Sequence, residues 1–433
     1  MAEIETGVVP NGNVEHVNGE KKNVTEVTPD FFHVPTDPPE WLNREYLEKV
    51  FREYEHDQTL HIFECEIVPA TKPGDNFASI VFRAHLKYTS KKKTESLSVI
   101  IKVRPFLEGF RKDLLSSMPL FETEADMYTR IIPEIQRLLI QIDDKDVIAP
   151  NMIYYHNDPE IIIFEDIAPK GYVMRHKAMN FENTKKLILK LAKFHAASFY
   201  MYHEEKKELD EFKNGLVTTL APIDFFQQGY MNVVKCIKEW PGFEEVAEKM
   251  EKVGPVFLKK LRKSYIANKP NNGYNVLNHG DFHIKNLLFR NDENDDIQDI
   301  SFIDFQISVW CSPAIDLNYV LYVNASTETR DNHKNELLSI YHAKFCSVLE
   351  DLGCLKKPPS LLELHIEMLK NGFLEVLLAI QFMAMFFVDY ENIDKADLGD
   401  MDKMLKILYN ESAMRPVLEK LIVKFLHKGF FEI

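Results

Sequence analysis

Cysteine is scarce and unpatterned in this chain: five residues in 433, at Cys65, Cys236, Cys311, Cys346 and Cys354, odd in number and without a C-x-x-C pair. That spacing implies no disulfide framework, offers no cysteine-based zinc site, and suits reduced thiols in a cytoplasmic protein. Long apolar runs are missing as well. The N-terminus carries no apolar signal segment, and Val376 to Val388, the longest charge-free apolar run near the C-terminus, is too short to span a bilayer, so no membrane partner is expected. Positive charge is in deficit, with 52 Lys and Arg against 67 Asp and Glu for a formal −15. An acidic surface attracts neither nucleic acid nor an anionic membrane, and a nucleotide would have to be held by metal ions and a few placed bases.

What is present describes a globular protein. At 433 residues, 45% hydrophobic and 27% charged, the chain exceeds one usual core, and two lobes are expected. Residues 1–38 are polar, Asn- and Glu-rich and aperiodic, and read as a disordered tail. A short helix over Asn43 to Tyr54 leads to a strand at His61 to Ala70, a turn at Thr71 to Asn76, a cleanly alternating strand from Ile80 to Tyr88, a basic turn at Thr89 to Ser96 and an apolar strand from Leu97 to Val103. Helical spacing follows over Phe121 to Leu139, then a hairpin of Met152 to His156 with Ile161 to Phe164, and a break at Pro169 to Gly171. This order gives an α+β chain: an N-terminal lobe over 39–168, with an antiparallel sheet and one main helix, and a larger, mostly helical lobe over 169–433. No internal repeat is found.

The chemistry concentrates between His279 and Asp304. Asp281 is followed five residues later by Asn286, then by two short apolar runs, Leu287 to Phe289 and Ile300 to Ile303, closed by Asp304. H-x-D, N, hairpin, D is a phosphoryl-transfer spacing: the first Asp can take or orient the proton of an attacking hydroxyl, while the Asn and second Asp supply oxygen ligands for Mg²⁺ on nucleotide phosphates. His279 and His283 do not form a convincing zinc pair, because Gly280 spoils a helix between them and no Cys or Glu completes the set. Lys102 lies in an apolar strand, where an unpaired ammonium costs several kcal/mol; either a carboxylate meets it or it snorkels from an edge. Glu124, alone on a helix, reads as solvated.

Together these segments resemble the insect ecdysteroid kinase-like family, within the choline kinase and aminoglycoside phosphotransferase group of protein-kinase-like folds. The resemblance runs from about Trp41 to the end and is carried by GDNFASIVFR (Gly74 to Arg83), SVIIKV (Ser98 to Val103), FETEADMY (Phe121 to Tyr128), IIIFEDI (Ile161 to Ile167), LAKFHAAS (Leu191 to Ser198), HGDFHIKN (His279 to Asn286), FIDFQ (Phe302 to Gln306) and PAIDL (Pro313 to Leu317). It implies an ATP- and Mg²⁺-dependent kinase of the two-lobed fold. Lys102 would contact the α/β-phosphates with Glu124 as its partner, Asp281 would be the catalytic Asp, Asn286 and Asp304 the Mg²⁺ ligands, and Glu165, Asp166 and Ile167 the linker whose backbone meets adenine. Asn76 and Ser79 would touch phosphate, since their loop has one glycine and not three, and His283 would contact the γ-phosphate. Asp316 is expected to brace the catalytic loop and His195 to be structural.

No A-P-E segment or activation loop follows Asp304, so a small molecule fits better as acceptor than a protein. The resemblance implies a hydroxyl on an ecdysteroid or a xenobiotic or plant-derived alcohol. The late helix, Phe373 to Tyr390, with Phe382, Met383, Met385, Phe386 and Phe387, is either core or one wall of an apolar acceptor pocket. A catalytically silent binder of a hydrophobic ligand and a choline- or aminoglycoside-type phosphotransferase are the alternatives. A monomer is favoured.

Overall fold

The computed structural model describes residues 37–71, 79–104, 118–217, 223–269, 272–383, 401–411 and 414–432. Helix α1 (Arg44–Tyr54) opens at Asn43, whose side chain accepts from the Tyr46 amide, and buries Leu47, Val50 and Phe51. Strands β1 (His61–Pro69), β2 (Ile80–Ser90) and β3 (Lys93–Val103) form an antiparallel meander. It is joined on its far side by the hairpin β4 (Met152–Asn157) and β5 (Glu160–Glu165), in the order β1-β2-β3-β5-β4. Alternation in β2 is complete, with Ile80, Phe82, Ala84, Leu86 and Tyr88 all buried.

The turn between β2 and β3 is tighter than the eight residues expected. It is Lys91–Lys92 alone, both with positive φ (49° and 67°), the two-residue hairpin geometry that follows strand twist. Asp57 clamps it, one carboxylate oxygen accepting from Ser90 Oγ at 2.7 Å and Lys91 N at 2.9 Å, the other from Thr59.

The expected helix over Phe121 to Leu139 is present but not uniform. Helices α2 (Leu120–Asp126) and α3 (Ile132–Gln141) are joined by a π turn, Met127–Ile131. Pro133 has no N–H to offer the preceding turn, and the wider turn absorbs that missing bond without ending the helix.

After the short β6 (Tyr172–Met174), helix α4 (Phe181–His203) starts at the capping Asn180, followed by α5 (Ile223–Lys238), α6 (Glu244–Val253) and α7 (Phe257–Ser264). Then come β7 (Val276–Asn278), the hairpin β8 (Leu287–Asn291) and β9 (Ile297–Phe302), and β10 (Val309–Cys311). β8 pairs with both β6 and β9, and β10 pairs with β7. The rest is helical: α8 (Ala314–Tyr319), the long α9 (Thr327–Asp351), α10 (Leu361–Lys370), α11 (Phe373–Leu377), α12 (Met401–Lys406) and α13 (Arg415–His427). The chain is therefore α+β, as expected.

Two cores divide at β5. Ile161 and Ile163 face the cluster shared with α1 and β1 to β3, whereas Ile162 and Phe164 face the larger cluster built on α3, α4 and the helices beyond. β3 alternates in the same way, so Lys102 leaves the sheet on the side of the second core, with Val81 and Ile162 as its strand neighbours. All five cysteines are free thiols, and among the described residues no helix is long and apolar enough to cross a membrane.

Candidate active site

Lys102 is buried, and its ammonium has two carboxylates within reach: Glu124 Oε2 at 2.5 Å and Asp304 Oδ1 at 2.8 Å, with Gln306 Oε1 at 3.5 Å. Each partner comes from a different element, β3, α2 and the segment after β9. Glu124 is only 1% exposed, so the solvated reading of a helical Glu does not apply. Burial would lower the Lys102 pKa, but the charges of Asp304 and Glu124 outweigh it and raise it. The Glu124 carboxyl is pushed up to about 7, by burial first and by the neighbouring Asp304 charge, against the pull of Lys102.

The catalytic loop begins where β7 ends. Gly280 has φ +88°, and a Cβ there would stand 2.1 Å from the Ile307 carbonyl oxygen, so only glycine fits. Asp316, on the first turn of α8, accepts from His279 N at 2.7 Å and Gly280 N at 3.0 Å. It also faces His195 Nε2 at 3.2 Å, and His195 reaches Tyr341 Oη with its other nitrogen. The fully buried Asp316 and His195 thus hold the loop from behind.

At the front, Asp281 Oδ2 lies 3.2 Å from His283 Nε2. Burial would raise the Asp281 pKa, but His283 and His279, with the Tyr319 hydroxyl beside it, hold it below the ordinary carboxylate range. Asn286 donates to the Asp281 carbonyl at 3.0 Å and lies 3.4 Å from its Oδ2. Because the amide nitrogen of Asn286 is used on Asp281, its oxygen is the end left for a cation.

Hairpin β8–β9 brings Asn286 and Asp304 together. Leu287 pairs with Phe302, Ile303 N donates to the Asn286 carbonyl at 3.0 Å, and the Ile303 carbonyl meets His279 Nε2 at 2.8 Å. Asp304 itself has φ +67°, an unusual conformation for a non-glycine residue and one found at functional sites. Phe305 then turns inward onto His279 (ring centroids 4.7 Å apart) and Tyr128 (5.6 Å), and Tyr128 packs on Phe164 of β5 at 4.7 Å. An aromatic column therefore joins the sheet to the catalytic loop.

The family model of the ecdysteroid kinase-like family matches residues 73–354, which include every residue of this cluster. The chain belongs to the ecdysteroid kinase-like family. No curated protein matches it. Among solved structures, a choline kinase from Streptococcus pneumoniae is similar at 12% identity over 83% of this chain and 96% of that one, with a TM-score of 0.35. An ethanolamine kinase from Plasmodium vivax is similar at 13% identity over 87% and 90%, with a TM-score of 0.39.

For this ecdysteroid kinase-like chain, the structure brings together Lys102, Glu124 and Asp304, and, one hydrogen bond on, Asn286, Asp281 and His283. Ser79 is buried at the head of β2, and Asn76 lies outside the described residues. In the linker the side chains are committed elsewhere. Glu165 pairs with Lys170 and Asn151. Asp166 accepts from Arg83 Nε at 2.8 Å, Ser98 Oγ at 2.5 Å and Ala168 N at 3.0 Å. Burial opposes the ionised form of Asp166, yet these bonds hold its pKa below the ordinary value. The Ile167 carbonyl accepts from Lys170 N and Tyr172 N.

Of the late helix, α11 passes into a π turn at Leu378–Met383, and Phe382 packs edge-on against Tyr319. Met385, Phe386 and Phe387 lie outside the described residues. Tyr265 and Tyr319, which flank Asp281, carry no signal in the sequence: Tyr319 lies among apolar helical residues and reads as core, and Tyr265 follows a basic helix end outside any motif.

Proposed function

We propose that this chain is a small-molecule kinase that transfers the γ-phosphate of ATP to a hydroxyl of an apolar alcohol, an ecdysteroid or a xenobiotic or plant-derived alcohol. The observation that carries the reading is Lys102 held between Glu124 and Asp304, with Asn286 bonded to Asp281 one step away. A pure binder has no chemical need for this set. Asp304 and Asn286 fit Mg²⁺, a cation that is satisfied with one or two protein oxygens when phosphates and waters complete its octahedron. Held by these two residues, the metal would supply positive charge against the phosphates.

Lys102 would contact the α/β-phosphates, with Glu124 as its partner. Asp281, kept ionised, orients the acceptor hydroxyl and receives its proton as the new O–P bond forms and the bond to the β-phosphate oxygen breaks, releasing ADP. His283 fixes the Asp281 carboxylate, and the family resemblance would have it contact the γ-phosphate. Free thiols and the acidic charge suit a cytoplasmic enzyme.

Two substitutions test the division of labour. Asp304→Ala should lower Mg-ATP affinity and turnover together, while Asp281→Asn should bind Mg-ATP nearly normally and lose about 10²- to 10⁴-fold in rate. Calorimetric titration beside a mass-spectrometric phosphorylation screen over steroid, glycoside, choline and aminoglycoside acceptors decides. An Asp281→Asn variant that keeps most of its turnover would sink the assignment.

A further inference from the structure

Beside the loop that carries Asp281, Tyr265 Oη is buried without a hydrogen-bond partner, and Tyr319 Oη and Asp281 Oδ1, close to one another, make no hydrogen bond of sound geometry. Tyr319 is fully buried and Tyr265 is 5% exposed, so neither hydroxyl faces bulk solvent as a surface phenol does. A buried hydroxyl left unbonded costs about 1–3 kcal/mol, so each of these atoms calls for a partner, and an oxygen of a bound acceptor would be one.

Their positions are fixed by the frame already described. Tyr319 stands one helical turn after Asp316 on α8, the residue that bolts down His279 and Gly280, and its hydroxyl lies beside the Asp281 carboxylate. Tyr265 follows α7, and its ring lies over Gly215 so closely that a Cβ there would come within 2.5 Å of it. Burial keeps both phenols neutral, their pKa values raised further by nearby charges that include Asp281. Beyond Tyr319 the wall is apolar, with Phe382 edge-on at 5.9 Å and Phe226 stacked behind it at 6.4 Å.

Resting on the kinase reading, we infer that Tyr265 and Tyr319 are the specificity-determining residues of the acceptor subsite. They would hold a second oxygen close to the hydroxyl that reacts, on a neutral, apolar-framed acceptor. Asp281 Oδ1 takes the reacting O–H, and two neutral phenols can each donate to or accept from an adjacent hydroxyl. A cationic acceptor is poorly matched: among the described residues the second buried carboxylate of the loop, Asp316, is spent on two backbone amides and His195, which leaves Asp281 both as counter-ion and as base.

Removing each hydroxyl alone, as Tyr265→Phe and Tyr319→Phe, tests this with minimal change of shape. The probes are a steroid with two adjacent hydroxyls, the same steroid lacking one of them, and choline, each titrated calorimetrically into protein held with Mg²⁺ and a non-hydrolysable ATP analogue. Wild type should bind the diol at least about tenfold more tightly than the mono-ol, and each variant should erase most of that preference by weakening the diol alone. Circular dichroism and affinity for the ATP analogue report on folding.

A preference that survives both substitutions, a wild type that binds diol and mono-ol alike, tighter binding of choline, or no binding of either steroid overturns the proposal. Phosphorylation of the two steroids at equal efficiency would do so while leaving the kinase reading standing. Failure to transfer phosphate to any acceptor would instead remove the reading beneath it.

Discussion

At Lys102 one ammonium meets two carboxylates, Glu124 and Asp304, in a place that water barely reaches, and the unequal count has a consequence for pH. Before a cation arrives the group carries an excess negative charge. Glu124, the more deeply buried acid, responds with a pKa of about 7 in place of about 4.5. A carboxyl whose folded pKa is raised contributes stability that is fully present below the unfolded value and is lost as pH rises through the folded one. Glu124→Gln mimics the protonated acid at every pH. Its stability relative to wild type, measured by denaturant unfolding in chelator, should therefore improve between about pH 5 and 7 and level off above that. A gap that stays constant across that range would mean that Glu124 is ionised throughout and that its partnership with Lys102 outweighs its burial.

The hairpin β2–β3 carries a comparable argument at the scale of an element. Both residues of its turn are lysines at positive φ, a conformation that costs an L-residue roughly 1–2 kcal/mol and that Asn-Gly adopts with little strain. The anchoring bond to Asp57 comes from the Lys91 backbone, so it survives a change of side chain. Replacing Lys91-Lys92 by Asn-Gly should therefore stabilise the protein by about 1 kcal/mol in denaturant unfolding with no change in nucleotide affinity. A loss of stability would show that the lysine side chains, not the turn geometry, hold the hairpin.

The same turn shows where sequence stops speaking. Strands β2, β5 and β8–β9 announce themselves by alternation or apolar runs, but nothing in Lys-Lys signals a two-residue turn, and eight residues were allotted to it. β6, β7 and β10 have three residues each, too few for any period. The motif spacing points to Asp281, Asn286 and Asp304, and the apolar context of Lys102 leaves a choice between a carboxylate partner and an edge position. By contrast, Tyr265 and Tyr319 look like core in the sequence because only the absence of a bond to their hydroxyls sets them apart, and that is a three-dimensional fact.

At the scale of the whole molecule, the proposed function asks a chain of net charge −15 to bind a nucleotide that is itself strongly anionic. The site adds to the problem: Lys102 supplies one positive charge beside the two acids Glu124 and Asp304. Free ATP should therefore be repelled both locally and by the overall field, and Mg-ATP should bind far more tightly because the cation cancels charge where Asp304 and Asn286 lie.

Salt distinguishes this from a site that attracts anions through basic groups. Screening lengths shorten from about 10 Å at 0.1 M to about 3 Å at 1 M, so raising salt weakens long-range repulsion. Affinity for ATP in chelator should then hold or improve between about 0.05 and 0.5 M salt, while a basic site would lose affinity over the same range. Thermal shift supplies a second measure, since a ligand present at 100 times its Kd stabilises the folded state by about 2.7 kcal/mol. Mg-ATP should raise the unfolding temperature, ATP with chelator should not at the same concentration, and Asp304→Ala should abolish the difference. If free ATP bound as tightly as Mg-ATP and weakened with salt, the nucleotide would be held by cations elsewhere in the chain, and Asp304 would not be the residue through which charge is offset.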